Sequence, residues 1–324
     1  MNKLLKKTLV PILALYRWIK KDRTWYLKFL STINPTYASK RLYKRALGKK
    51  LNLKNPQTLN EKLMWLKLNT YYNNPLITEC CDKYLVRNYV KRAGCEYILN
   101  DLLGVWDRSC DINFNALPNK FVLKCNHGCG YNIVVKDKSQ LDIVKTKKQL
   151  DIWMKEDFWK LYAETQYKFI KKKIIAEKFI ETNDDTLPVD YKFFCENGVF
   201  KTLQVITGRS TIVTLFYFDD KLRYVDCYYD NKQVDIQKHI PPTLPSNIHD
   251  MIKIAEHLSK SFPFVKVDLY NVNGKILFSE LTFVPYGGIH FTKHANDPSN
   301  ITFTPVVDVY ANAKNNSLYE IDKF

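Results

Sequence analysis

The sequence predicts an α+β fold, and three observations carry that prediction. Asn273-Gly274 sits between segments of alternating apolar residues, the signal of a two-residue β-hairpin, and a second hairpin turns across Glu196-Asn197-Gly198. Apolar residues recur at helical spacing through Leu150, Trp153, Met154, Phe158, Leu161 and Tyr162, and again through Ile248, Met251, Ile252, Ala255 and Leu258. Strands and helices do not alternate as a regular βαβ series, which sets the chain apart from parallel-sheet folds.

The elements follow in chain order. Thr58, with Glu61 three residues on, has capping-box spacing and opens a helix that turns Leu63, Trp65 and Leu66 inward. A second helix runs from Asp82 to Val90 and stops near Gly94. Leu117-Pro118-Asn119 leads into a strand at Phe121–Leu123, and a glycine loop separates it from a second strand at Ile133–Val135. The stripe from Leu150 to Tyr162 is core packing on a helix. Ile174–Ile180 is a buried strand, Tyr191–Cys195 and Phe200–Val205 form a hairpin, and the segment from Val265 to Phe283 forms another.

A chain of 324 residues, 46% hydrophobic and 26% charged, can bury a large core in two or three subdomains. No repeat or low-complexity tract appears. The net charge of +17 is uneven: residues 1–50 hold fourteen Lys and Arg against one acid, Asp22, so they carry +13 and the other 274 residues carry +4. Basicity is low outside the N-terminal module, which argues against nucleic acid as the partner. Within the module the longest apolar run, Leu9 to Tyr16, is eight residues and contains Pro11. A membrane span needs about 20. Arg17, Trp18 and Lys20 stand where a signal peptide would have small residues. Three readings of the module stay open: an interfacial helix on the inner face of a bacterial plasma membrane, a charged helix packed on the body, or a segment that binds an acidic polymer. The eight cysteines form no paired C-x-x-C set, so the expectation is a cytoplasmic protein with free thiols and no zinc site.

The chemistry concentrates in two places. Folding back on Asn273-Gly274 brings Asp268 alongside Glu280, and two buried carboxylates need a positive partner, for which Mg²⁺ shared with phosphates is the natural candidate. Lys124-Cys125-Asn126-His127-Gly128-Cys129-Gly130 lies between two strands, where glycine backbone N–H groups and a lysine can close on phosphate oxygens. It is neither a Walker motif nor a Rossmann fingerprint.

The order of these parts resembles the ATP-grasp superfamily, in particular its TupA-like branch, associated with teichuronopeptide and other bacterial surface polysaccharides. The resemblance covers roughly residues 55 to 295 and rests on Thr58–Leu68, Asp82–Arg87, Leu117–Gly128, Asp190–Cys195 and Phe264–Gly274. It implies two α+β lobes gripping ATP, preceded by a basic helical extension: an N-terminal module at 1–50, a subdomain at 51–120, a small lobe at 121–205 and a C-terminal lobe with the metal site at 206–324. It implies that Lys83 and Lys124 meet the phosphates, with Asn126, Gly128 and Gly130 as the covering loop. Glu177 and the backbone of Lys178 and Ile180, around Phe179, would read the adenine edge, and Asp184 or Asp185 the ribose. Lys192 and Arg209 would act on the transferred phosphoryl group. Asp268 and Glu280 would hold Mg²⁺, with Thr282 where many members have Asn.

The activity implied is an ATP-dependent carboxylate–amine ligase working through an acyl phosphate in capsule or exopolysaccharide synthesis. Its substrates would be an acidic sugar or an amino acid and an amine acceptor. Two readings from other classes stand beside it: a polysaccharide glycosyltransferase, and a non-catalytic protein that binds membrane or polyanion.

Overall fold

The computed structural model describes residues 25–183, 186–209, 213–225, 227–228, 240–289 and 293–294. Helix α1 (residues 25–33) leads through the Asn34 cap into α2 (Pro35–Leu47), which ends at Gly48 in the left-handed region. Helix α3 (Leu59–Leu68) opens with the expected capping box: the Glu61 N–H donates to the Thr58 hydroxyl, and the Glu61 carboxylate accepts from the Thr58 N–H. Then come α4 (Pro75–Cys81) and α5 (Val86–Arg92). The second predicted helix therefore starts later than Asp82. The Asp82 carboxylate accepts from the Tyr84 and Leu85 N–H groups, and that local turn competes with helix until Val86.

Four strands form the first antiparallel sheet, in the order β1 (Leu102–Trp106), β4 (Ile174–Lys178), β2 (Phe121–Cys125), β3 (Asn132–Val135). Its core face packs Phe121, Leu123, Cys125 and Ala176 against Leu150 and its neighbours on α6 (Ile143–Lys155). The helical stripe seen in the sequence is broken after α6. Glu156 is extended, and the chain restarts as α7 (Trp159–Tyr162).

The second sheet has six strands, ordered β11 (Lys275–Thr282), β10 (Val265–Val272), β5 (Asp190–Glu196), β6 (Val199–Thr207), β7 (Thr214–Phe218), β8 (Tyr224–Val225). A short pair joins β9 (Cys227–Tyr228) to β12 (Lys293–His294). Strand pairing divides the lobes elsewhere than at residues 121 and 206. β1 joins the first sheet from before 121, and the β5–β6 hairpin belongs to the second.

The Asn273-Gly274 turn forms as the sequence predicts, and the turn expected across Glu196-Asn197-Gly198 tightens to two residues because Glu196 pairs with Val199. Asn197 and Gly198 have φ of 51° and 79°, and Asn273 and Gly274 have 52° and 83°, the two consecutive positive values a type I′ turn requires. On β10 the two-residue period is clean. Val265, Val267 and Leu269 enter the main core, which includes Met251, Ala255 and Leu258 of α8 (Ile248–Ser259), while Lys266, Asp268 and Tyr270 take the opposite face. An aromatic cluster closes this core, with Phe262 and Phe283 edge to face at 4.9 Å. The Tyr71 hydroxyl beside them donates to the Phe264 carbonyl at 2.7 Å.

Candidate functional site

The polar faces of the two sheets enclose a cavity of about 310 Å³, at the lower end of the ~300–1,000 Å³ usual for small-molecule sites. The first sheet contributes Val122, Lys124 and Glu177, the second Asp190, Lys192, Tyr270 and Glu280. The connection from β4 to β5 contributes Phe179, Ile180 and Pro188.

Cross-strand register builds the floor. Glu280 pairs with Asp268, Asp268 with Lys192, Lys192 with Gln204 and Gln204 with Tyr217, one polar row across five strands. A regular ladder from the Asn273-Gly274 turn would set Asp268 opposite Ser279 and send Glu280 to the core face. The register instead shifts between Asp268 and Leu269, where Ser279 is the extra residue of a β-bulge, and this re-aims Glu280 into the cavity.

Charges on the floor are tightly paired. Lys192 donates to Asp268 Oδ2 and lies 3.7 Å from Asp190. Lys266 lies 3.3 Å from the same Asp268 oxygen. Burial opposes the Lys192 charge, but Asp268, Asp190 and Glu280 outweigh it and keep the ammonium protonated. Arg209 donates through Nε to Asp190 at 2.6 Å. Burial works against the Glu280 anion too, yet Lys83, Lys192, Lys266 and Lys124 hold its carboxyl at about 2. Its charged form therefore stabilises the fold above the ordinary pKa of 4.5 and loses that effect as pH falls toward 2.

The upper wall holds the other cations. Lys124 donates to Glu177 at 2.5 Å, and Arg87, 3.8 Å from the same carboxylate, also donates to the Asn100 carbonyl at 2.8 Å. Lys83 donates to the Gly128 carbonyl at 2.6 Å and lies 3.6 Å from Glu280, so it spans from the glycine loop to the Glu280 end of the cavity.

Of the residues singled out from sequence, Lys83, Lys124, Gly130, Glu177, Lys178, Phe179, Ile180, Lys192, Arg209 and Glu280 line this one cavity. Asp184 and Asp185 lie outside the described residues, as does most of the basic module. Several expectations need correction. The Asn126 side chain is fully buried and faces away: it donates to Asp82 at 2.8 Å and to the Lys171 carbonyl at 3.0 Å, and accepts from the Lys173 N–H at 2.7 Å. It clamps the loop to the body. Gly128 lies behind the wall, where a Cβ would come within 2.8 Å of both the Tyr131 and the Phe158 rings. Gly128→Ala should therefore cost about 1–3 kcal/mol in chemical denaturation through overpacking. Gly130→Ala meets no atom, and its φ of +79° carries the whole cost.

The Lys178 backbone is engaged already, its N–H by the Asp101 carbonyl at 3.0 Å and its C=O by the Asn100 amide at 2.7 Å. The Ile180 backbone makes no hydrogen bond among the described residues, so the free edge of the connection lies there. Asp268 sits beneath Lys192 and Lys266, off the cavity wall. The Thr282 hydroxyl turns to Glu280 at 3.5 Å.

Sequence reading missed Lys266 and Asp190 as members of the charge cluster. The signal was present for Lys266: it stands two residues before Asp268 on a strand and so shares its face.

The donor set fits Mg²⁺. Among the described residues no group of three His, Cys, Asp or Glu forms an all-protein cage. Asp268 Oδ1 is buried with no hydrogen-bond partner, and Glu280 stays ionised beside it. Burial raises the Asp268 pKa against the pull of Lys192 and Lys266, so Glu280 is the firmly ionised member, and with the unsatisfied Asp268 oxygen it suits a cation that takes its remaining ligands from phosphate and water.

His127 is buried behind the loop. Its Nε2 donates to the Trp153 carbonyl at 3.1 Å, and burial first, then Lys172, pushes its pKa down to about 4. The imidazole is neutral in the fold and protonates on unfolding below about 6.5, so its contribution is lost as pH falls from 6.5 toward 4. The stability of the wild type relative to His127→Gln should drop by ~2–3 kcal/mol between pH 7.5 and 4.5, measured by denaturant unfolding.

No curated protein sequence matches the chain. Among solved structures, it is similar to the D-alanine–D-alanine ligase of Bacillus anthracis complexed with ATP, with 13% identity, 71% of this chain and 59% of that one covered, and a TM-score of 0.40. It is similar to the L-amino acid ligase of Bacillus licheniformis at 13% identity, with 71% and 50% covered and a TM-score of 0.44. The ATP-grasp ligase PsnB complexed with minimal precursor, Mg and ADP shares 11% identity over 69% and 57%, at a TM-score of 0.36. The chain thus spans between half and three fifths of the length of these three proteins. The family model TupA-like ATPgrasp matches residues 61–299, most of the chain and every described residue of the cavity, and the chain belongs to that family.

Proposed function

We propose that this ATP-grasp protein is an ATP-dependent carboxylate–amine ligase. The observation that carries the reading is the cavity itself: Lys83, Lys124, Lys192 and Arg209 converge on one space whose far end holds the ionised Glu280. The lining sets Lys83, Lys124, Lys178, Lys192 and Arg209 against Glu177, Asp190 and Glu280, a net positive wall that suits a polyphosphate bound with a divalent cation.

In this reading Lys83 and Lys124 bind the α- and β-phosphates, and the adenine lies along Phe179 with the Ile180 backbone at its edge. Lys192 and Arg209 face the γ-phosphoryl group and offset the charge that develops on its oxygens during transfer. Glu280 would hold Mg²⁺ from the cavity wall, with Asp268 beneath it offering its unpaired oxygen, and the ion when bound would neutralise phosphate charge. A carboxylate oxygen of the first substrate attacks the γ-phosphorus and ADP leaves. The amine of the second attacks the acyl carbon, phosphate leaves, and the nitrogen gives its extra proton to solvent. The chain contributes position and charge and no nucleophile of its own. Cys129 and Gly130 lie over the phosphate end, where a cover protects an acyl phosphate from water.

In the same reading the carboxyl substrate would lie beyond Lys192, toward the end of the row that continues to Gln204. The Gln204 amide lies 2.5 Å from the Tyr217 hydroxyl and 3.4 Å from that of Tyr286. Tyr286 belongs to the turn Pro285–Gly288. The buried Lys67 holds that turn, donating to the Tyr162 carbonyl at 3.0 Å and lying 3.5 Å from the Gly287 carbonyl. Hydroxyls and a carboxamide suit an acidic sugar or an amino acid, and the surface-polysaccharide setting implied by the family resemblance agrees with that class. Purified protein with ATP, Mg²⁺ and paired panels of uronic or amino acids and amines should release ADP only with a matched pair. Turnover of a nucleotide sugar without ATP would overturn the reading in favour of glycosyl transfer.

A further inference from the structure

We propose that helices α1 and α2 form a docking face for an anionic bilayer, a property independent of the ligase reading. Trp25, Phe29 and Ile33 stand four residues apart on α1 and are 67%, 47% and 61% exposed. Tyr37, four further on across the Asn34 cap, is 47% exposed. The Trp25 and Phe29 rings stack at 5.8 Å and 11°, so the two side chains lie together. Single exposed apolar residues are ordinary, whereas a spaced line of large ones marks an interaction surface.

The fold does not need this face. The other side of α1 buries Leu27 and Leu30, and Leu30 packs with Ala38 of α2 and with Ala163 after α7. The helices are thereby fixed to the body while Trp25, Phe29 and Ile33 stay in solvent.

Charge selects the occupant. Residues 25–50 contain seven Lys and Arg and no Asp or Glu. Lys40, Arg41, Lys44 and Arg45 are all exposed on α2, and the Arg41 guanidinium lies 5.2 Å over the Tyr26 ring. A second copy of the chain would set this positive face against itself. A free polyanion would use the cations and leave the aromatic line in water. An anionic leaflet satisfies both parts, with Trp and Tyr at headgroup depth and the cations against lipid phosphates. No described helix is long and apolar enough to cross a membrane, so the contact lies in the interface plane.

The test is sedimentation of the full chain with phosphatidylcholine vesicles, with and without about one third phosphatidylglycerol. Binding is expected only to the anionic vesicles, and weaker as salt rises from ~0.1 to ~0.5 M. The Trp25→Ser/Phe29→Ser/Ile33→Ser variant, confirmed folded by circular dichroism, should bind at least ~10-fold more weakly. A Lys40→Glu/Arg41→Glu/Lys44→Glu variant should lose the preference for anionic lipid. Brominated acyl chains should quench tryptophan emission in the wild type by more than in Trp25→Phe. Wild-type binding by the apolar triple variant would overturn the proposal, because residues before α1 would then suffice. So would a concentration-dependent dimer that the triple variant abolishes, with no vesicle binding, since a second copy would then be the occupant.

Discussion

Lys192→Met should lower the unfolding free energy by about 3 kcal/mol, the largest single-residue loss expected at this site, although methionine nearly preserves the side-chain volume. Lys192 is buried at the centre of the floor, with Asp268 on one side and Asp190 on the other. Removing one partner of a buried pair leaves the other charge without compensation, which typically costs ~3–5 kcal/mol. The low end applies here because neither acid is stranded. Lys266 remains 3.3 Å from Asp268, and Arg209 remains on Asp190. Lys192→Arg keeps the charge and should recover part of the loss. Urea unfolding of the three proteins at pH 7.5 checks the order: wild type, then Arg, then Met. A Met variant as stable as the wild type would mean that the floor tolerates its acids unpaired.

The second large effect falls on turnover. Glu280→Gln is expected to reduce ATP-dependent product formation by at least ~100-fold, with a loss of stability of ~1–2 kcal/mol as the pairing of the carboxylate with four lysines is lost. Glutamine is isosteric with glutamate and half-buried at this position, so packing barely changes. What it removes is the anion that four lysines hold at about 2. Without it the phosphate end keeps its cations and loses a ligand for the divalent ion, and one well-placed electrostatic group is commonly worth ~10²–10³ in rate. Steady-state ADP release with a matched pair of substrates reads the effect, and raised Mg²⁺ should restore part of it. A Glu280→Gln enzyme with unchanged turnover at low Mg²⁺ would remove Glu280 from the metal site.

How much of this was legible in the sequence depends on how local each cause is. The capping box at Thr58 and the Asn273-Gly274 turn form as predicted, because their determinants lie within four residues. The floor was half legible. Asp268 and Glu280 share a face only through the bulge at Ser279, and a two-residue turn by itself points Glu280 the wrong way. Nothing in Ser279-Glu280-Leu281 announces a bulge, since it depends on how β11 lies on β10. The glycine loop was misread for a related reason. Lys124, Gly130 and Lys83 do face the cavity, but Asn126 is drawn inward by Asp82 and by the backbone of 171–173, partners more than forty residues away. The start of the second helix failed at Asp82, whose side chain caps its own turn and ties the loop down as well.

The same cause explains Lys266 and Asp190. Each reads from sequence as an ordinary strand charge, yet both are buried. Each has a partner two residues away on its own strand, Asp268 for Lys266 and Lys192 for Asp190, but the cluster closes only when β10 pairs with β5 and Arg209 reaches Asp190 from after β6. Pairing across the sheet also joins the two ends of the proposed site. The row from Glu280 through Asp268 and Lys192 to Gln204 carries the metal end into the region assigned to the carboxyl substrate. A change at Lys192 is therefore expected to disturb both ends at once.

The central claim is that the cavity between the two sheets binds ATP with a divalent ion. Calorimetric titration of ATP into the purified chain, with and without Mg²⁺, tests it most directly when repeated on Lys124→Met. That variant removes a wall cation and leaves the floor intact. The account predicts ATP binding that Mg²⁺ strengthens and that Lys124→Met weakens by at least ~10-fold, the cost of one charge-assisted phosphate contact. Equal ATP affinity in the wild type and Lys124→Met, or no binding to a folded wild-type chain, would contradict it.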